Sequence, residues 1–393
     1  MLEDAENTCV YLACLYLNYG FKTMYEVTRD SALNLLKKLT EVVGPSGFEE
    51  AARDIVIEEL KPYADSLWVD SLGNVIAVKK GSRGSGRLMI AGHMDEIGLI
   101  ISYIDQRGFL RFQPIGGISE RVLPGQRVQI KTRDGRVIRG VIGSKPPHIM
   151  KPEELKQVPE IKDMFIDIGA SSREEAERAG VSVGSIAVFD RDLTFLGGSP
   201  DVVTGKAIDD RVGVVATVEA FKAVDGNEVD VYAVATVQEE VGLKGARVAA
   251  YSISPNVAIA LDVTIASDVA GVPEQDWITQ LGKGPAIKVV DGRAATGLIA
   301  HPAVRDKLIE LAKQFGIPHQ VEVAPGGTTD ASAIALNKEG VPAATVSIPA
   351  RYIHSPVEVI HLLDLVNAAK LTAIFSSKIT SEWALAITKR VIK

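Results

Sequence analysis

Five apolar runs along this chain, each short enough to be one buried strand, give way to a histidine or a carboxylate where the strand should end. They carry His93 and Asp95 in Ala-Gly-His-Met-Asp-Glu, Asp209 in Ala-Ile-Asp-Asp-Arg, and Glu239 and Glu240 in Val-Gln-Glu-Glu-Val-Gly. The last two carry Asp262 in Ala-Leu-Asp-Val-Thr and His354 in Tyr-Ile-His-Ser. Over much of the chain such runs alternate with helical stretches, which predicts an α/β sheet covered on both faces. Ligands of such sheets bind in crevices beyond the carboxyl ends of the strands. The pattern therefore restricts fold and site together.

The first helix is expected from Leu33 to Val42, capped by Asp30 or Ser31 and ended by Gly44-Pro45. A second helix follows through Ile55, Ile57 and Leu60, and Gly73-Asn74 turns two strands within 67–78. The run 87–92 is a short buried strand that delivers His93. Between about residues 100 and 195 helical periodicity fades, except at 171–179, and short alternating strands take over. There Asp134-Gly135 signals a hairpin. Beyond it, helices are expected at 210–223, 242–251, 302–315, 330–338 and 362–378, with strands at 229–237, 257–261 and 343–348.

A chain of 393 residues exceeds what one core usually covers. The expected organisation is one domain from 24–99 and 196–393, with a β-rich domain inserted at 100–195. Residues 1–23 are expected to be an extension outside the fold, because helical patterning starts only after Met24. The apolar segment 9–17 is short and follows Glu3, Asp4 and Glu6, a poor secretory signal. No apolar run approaches the roughly 20 residues that span a bilayer, so no membrane partner is expected. A net charge of -7 argues against nucleic acid as a partner. The only cysteines, Cys9 and Cys14, can build neither a disulfide framework nor a thiolate zinc site, which fits a reducing cytoplasm.

Imidazole and carboxylate donors without thiolates suit zinc, cobalt or manganese in a catalytic site. Asp95 stands two residues after His93 in an extended segment, so its side chain points the same way and can orient the imidazole. Asp209 opens a helix, where amide dipoles favour a carboxylate, and its two oxygens can serve two ions. Glu239 and Glu240 diverge, leaving one free to carry protons while the other binds. Taken singly, each group has an ordinary explanation: a hydrogen-bonded pair, an acidic helix cap, a chain turn or a surface histidine. His148, His301, His319 and His361 keep such ordinary roles. Gly-Gly-Thr-Thr-Asp at 326–330 lacks the lysine and spacing of a phosphate cradle, and Asp330 is expected to cap the next helix.

With these motifs assembled, the chain resembles the tetrahedral (TET) aminopeptidases, dinuclear metallopeptidases, from about Leu33 to the C-terminal helix. The resemblance is carried by Ala-Gly-His-Met-Asp at 91–95, Asp-Asp-Arg at 209–211 and Ala-Thr-Val-Gln-Glu-Glu-Val-Gly-Leu-Lys-Gly-Ala-Arg at 235–247. Ile-Ala-Leu-Asp-Val-Thr at 259–264 and Pro-Ala-Arg-Tyr-Ile-His-Ser at 349–355 complete it. It implies a zinc-peptidase-like three-layer αβα sandwich with a mixed central sheet, carrying a barrel-like or PDZ-like insertion that mediates dimerisation. It implies two divalent metal ions per subunit, zinc or cobalt. Asp209 would bridge them, His93 and Asp262 would complete one ion, and Glu240 and His354 the other. Glu239 would be the general base toward a hydroxide bridging the metals, and Asp95 would orient His93. Peptide substrates, an aminopeptidase activity and a tetrahedral dodecamer built from dimers follow from the same resemblance. Residues at 263–273 and 325–329 are expected to shape the first substrate pocket. Two other activities remain open at this level: a deacylase or carboxypeptidase on the same kind of centre, and a non-catalytic assembly protein with a structural metal.

Overall fold

A computed structural model describes residues 25–388. The expected extension at 1–23 lies outside the described residues, as do Cys9 and Cys14. Among the described residues no helix is long and apolar enough to cross a membrane.

The chain begins with helices α1 (Arg29–Glu41) and α2 (Glu50–Leu60), then strands β1 (Ser66–Val69), β2 (Val75–Lys79) and β3 (Arg87–His93). Thr28, not Asp30 or Ser31, caps α1: its hydroxyl accepts from the Ser31 amide, and Ser31 returns a bond to the Thr28 backbone. Strands β4 (Gly98–Ile104), β5 (Leu110–Ile115), β6 (Arg127–Lys131), β7 (Val137–Gly143), β8 (Phe165–Asp167) and β9 (Ile186–Phe189) follow, with α3 (Arg173–Arg178) before β9. They close into a barrel in the order β4-β5-β8-β7-β6-β9. Ile130 stands opposite Ile138 in the β6–β7 hairpin. Leu99, Ile101, Val128, Ile142 and Ile166 belong to a core of the barrel's own.

The chain then returns through β10 (Thr194–Phe195), β11 (Val202–Gly205), α4 (Ile208–Ala223), β12 (Asp230–Thr236), α5 (Lys244–Ile253) and β13 (Val257–Ile265). It ends with β14 (Ala286–Val290), α6 (Pro302–Gln314), β15 (Gln320–Val323), α7 (Asp330–Ala335), β16 (Ala343–Arg351), β17 (Glu358–His361), α8 (Leu362–Lys378) and α9 (Ser381–Thr388). The large mixed sheet runs β1-β2-β12-β3-β13-β16-β17-β11-β10, with β14 pairing β15 and β16. Strands β12, β3, β13 and β16 are parallel neighbours, so their carboxyl ends share one edge. Helix α4, backed by α1 and α8, lies on β3, β12 and β13, while α5 and α7 pack on each other and on the same central strands. The arrangement is consistent with three layers.

Sheet burial explains the composition of the central strands. From Val257 to Thr264 every residue of β13 is buried, as expected where both faces are covered. Gly92 lets α4 settle directly onto β3: a Cβ there would lie 2.6 Å from the Gly213 carbonyl carbon. This close approach brings the start of α4 against His93.

Candidate metal centre

His93 ends β3, and Thr236 stands beside it at the end of β12. After Thr236 the chain leaves the sheet through Gln238, which has φ of 56°, and presents Glu239 and Glu240. His354 lies in the loop between β16 and β17, also with positive φ. Two expectations need correction. Asp262 does not close its strand: β13 continues to Ile265, with Asp262 opposite Ser347 of β16. Asp209 is not the residue that caps α4. Its backbone is non-helical, and it is joined to Asp210 by a cis peptide bond. Asp210 does the capping, accepting from the Gly213 amide at 3.0 Å with one oxygen and from the His93 amide at 3.1 Å with the other.

The side chains converge. Asp209 turns one oxygen to each imidazole, with His93 Nε2 3.3 Å from Oδ1 and His354 Nε2 3.3 Å from Oδ2. Glu240 Oε2 is 3.3 Å from His354 Nε2, and Glu239 Oε2 is 3.8 Å from His93 Nε2. Donor atoms of His93, Asp209 and Asp262 all lie within 4.8 Å of one another, and so do those of Asp209, Glu240 and His354. Two triads thus share Asp209. They line a cavity of about 730 Å³ whose walls include Val263 to Ala266, Gly326 to Thr328 and Lys288.

Asp95 underlies the cluster. One of its oxygens accepts from the Glu239 amide at 3.0 Å; the other accepts from the Glu240 amide at 3.1 Å and from the Ser46 hydroxyl at 2.6 Å. His93 Nδ1 is 3.5 Å from the Asp95 carboxylate and 3.1 Å from its main-chain carbonyl. The carbonyl is therefore the nearer partner of the distal nitrogen, with the carboxylate beside it.

Proton affinities report what this grouping costs without cations. Burial pushes Glu239 and Asp262 well above the usual carboxylate range, and neighbouring acids add to it. Burial opposes protonation of His354, yet hydrogen bonds to Asp209 and Glu240 outweigh it and push it up to about 12. His93 is likewise held well above its ordinary value despite burial, chiefly by Glu239, Asp209 and Asp95. Glu240 Oε1 is buried with no hydrogen-bond partner. An all-nitrogen-and-oxygen donor set with a spare buried oxygen fits divalent metal.

Several participants escaped sequence reasoning. Glu358 accepts from the amides of Asp209 and His354, and Glu49 from those of Gly47 and Gln238. Thr329, not Asp330, caps α7, and Asp330 instead accepts from the Thr236 hydroxyl. Glu358 follows His354 by four residues, a spacing that signals a turn as readily as a site.

The model of the M42 glutamyl aminopeptidase family matches residues 73–371. The chain belongs to that family. Lysyl aminopeptidase of Pyrococcus furiosus is 42% identical over 341 residues, 86% of this chain and 94% of the relative. Aminopeptidase APDkam598 of Desulfurococcus kamchatkensis, a solved structure, is 57% identical with a TM-score of 0.89, covering 93% of this chain and 99% of that one. The TET1 peptidase of Pyrococcus horikoshii, which can assemble into a tetrahedron or a large octahedral shell, is 38% identical with a TM-score of 0.77, covering 88% and 100%. This M42 member is a peptidase, a hydrolase of peptide bonds. Membership implies the use of divalent metal, and the two donor triads are the candidate ligands.

Proposed function

We propose that this M42 member is a dinuclear metal-dependent aminopeptidase that releases N-terminal residues from short peptides. The observation that carries the reading is the pair of donor triads sharing Asp209. His93, Asp209 and Asp262 would hold one ion; Asp209, Glu240 and His354 would hold the other. The ions, zinc or cobalt, when bound supply a Lewis acid for the scissile carbonyl and acidify the attacking water.

Glu239 is left out of both triads and acts as the general base. Its carboxylate takes the proton of the attacking water and passes it to the leaving amine. Burial already raises its proton affinity, which suits a group that must accept a proton and then give it up. Asp95 holds the Glu239 and Glu240 main chains and the His93 ring in place. Segments 263–266 and 326–328 shape the pocket for the first side chain, supported by their place in the cavity wall.

The catalytic unit, expected at 24–99 with 196–393, is better bounded as 24–97 with 194–393, because β4 of the barrel starts at Gly98 and β10 joins the large sheet; it is a zinc-peptidase-like sandwich, and the inserted barrel is a PDZ-like dimerisation domain. The assembling P. horikoshii relative supports a homo-oligomer; the proposed form is a tetrahedral dodecamer built from dimers, with a chamber that admits unfolded peptides. The protein works in the cytoplasm. Light scattering on the purified chain tests the assembly: a monomer at micromolar concentration rejects it.

Aminoacyl-p-nitroanilides with free and blocked amines, assayed with and without chelator, test the activity. Free-amine substrates should be cleaved and chelator should abolish cleavage. Turnover of blocked substrates alone would make the enzyme a deacylase, and chelator-resistant turnover would remove the two-ion mechanism.

A further inference from the structure

Glu358 opens β17, is 2% exposed, and gives each carboxylate oxygen to a main-chain amide of a donor residue. Its Oε2 accepts from Asp209 at 2.9 Å, and its Oε1 accepts from His354 at 2.8 Å. Asp209 is the residue common to both triads, and His354 supplies the imidazole of one.

Both amides belong to irregular backbone. Asp209 follows β11, which pairs with β17 so that Gly205 stands opposite Glu358. His354 lies in the return loop from β16 to β17, where it and Tyr352 both have φ of 60°. Asp209 has non-helical backbone in the first turn of α4, His354 lies outside the sheet ladder, and the Asp209 and Glu240 carboxylates repel each other across the site. Among the described residues, no lysine or arginine forms an ion pair with Glu358. Its carboxylate feels the charges of His354 and Lys206 without pairing with either, and burying a carboxylate so placed is unfavourable, so stability alone does not account for it. Joining these two loops does.

We propose that Glu358 is a positioning residue for one of the two ions: it fixes the main chain of Asp209 and His354 so that their side chains meet Glu240 as one donor set. The inference rests on the two-ion reading of the site. A built-in comparison exists at Asp364, whose buried carboxylate accepts from the amides of Gly282 and Gly284, both at 2.7 Å. The bonding is the same, but neither glycine offers a donor atom to the centre.

The test titrates metal-free full-length chain with Co²⁺ against a competing chelator, reading absorption and stoichiometry. Wild type should take up two ions. Glu358→Gln has one acceptor oxygen for two amides and should weaken binding about 10–100-fold, the usual effect of removing an outer partner, most at the ion that His354 and Glu240 would hold and less at the other, which shares only Asp209. Asp364→Asn should lower Tm and bind both ions like wild type. Wild-type affinity for both ions in Glu358→Gln would overturn the proposal. Failure of wild type to bind any ion would instead overturn the two-ion reading. If Glu358→Gln does not fold, Glu358→Asp, one methylene shorter, is titrated in its place, and unaltered binding of both ions overturns the proposal equally.

Discussion

The main-chain amide of Glu239 donates to the carboxylate of Asp95 at 3.0 Å, so the acid beside the His93 imidazole also sets where the neighbouring glutamate begins. The other Asp95 oxygen holds the Glu240 amide. One buried side chain after β3 thereby ties the turn after β12 to the strand that carries His93.

Asp95→Asn offers an NH₂ group where one of those amides needs an acceptor. Metal affinity should fall about 10–100-fold, with turnover falling alongside. Isothermal titration with Zn²⁺ reads this; unchanged affinity would separate Asp95 from the centre.

Glu239→Gln keeps the size of the side chain and removes its basicity. Turnover of a free-amine aminoacyl-p-nitroanilide should drop about 10²–10⁴-fold, with ion stoichiometry unchanged. Full activity in the loaded variant would assign the base elsewhere.

Burial raises the Asp330 carboxyl from 3.8 to about 6 in the metal-free chain, partly offset by His93 and by the Thr236 hydroxyl. Folding favours its protonated form, so its contribution is present below the ordinary value and is lost as pH rises through about 6. Asp330→Asn should therefore stabilise the metal-free chain at pH 8 by up to roughly 3 kcal/mol, and much less at pH 4. Urea melts at the two pH values measure the difference, and equal effects at both would reject it.

Glu96 is buried between Lys206, at 2.9 Å, and Arg211, at 3.6 Å. Its removal leaves two buried cations facing each other. Glu96→Gln should lose about 3–5 kcal/mol in chemical denaturation. A loss below about 1 kcal/mol, the level of an exposed pair, would show that the network is compensated elsewhere.

The sequence made the strand-borne histidine easy to find, because the apolar run before His93 is uninterrupted and ends where β3 ends. Asp262 meets His93 and Asp209 in one donor group, but its strand runs on past it. In sequence a charged residue reads as the end of an apolar run, and only pairing with β16 shows that Val263 to Ile265 continue it. Asp209 and Asp210 could not be told apart by composition, since which acid caps α4 depends on a backbone turn with no local signature. Glu358 and Glu49 were invisible for another reason: each joins a nearby amide, His354 or Gly47, to a distant one, Asp209 or Gln238, and nothing local records the distant partner.

During synthesis β3 leaves the ribosome long before its partners do. Its hydrogen-bonded neighbours, β12 and β13, begin at Asp230 and Val257, whereas the barrel can close once Phe189 is available. Between those two points the nascent chain carries a finished barrel beside a lone apolar strand with both edges open, a surface prone to aggregation. Truncation before residue 230 should accordingly yield insoluble product rather than a smaller enzyme.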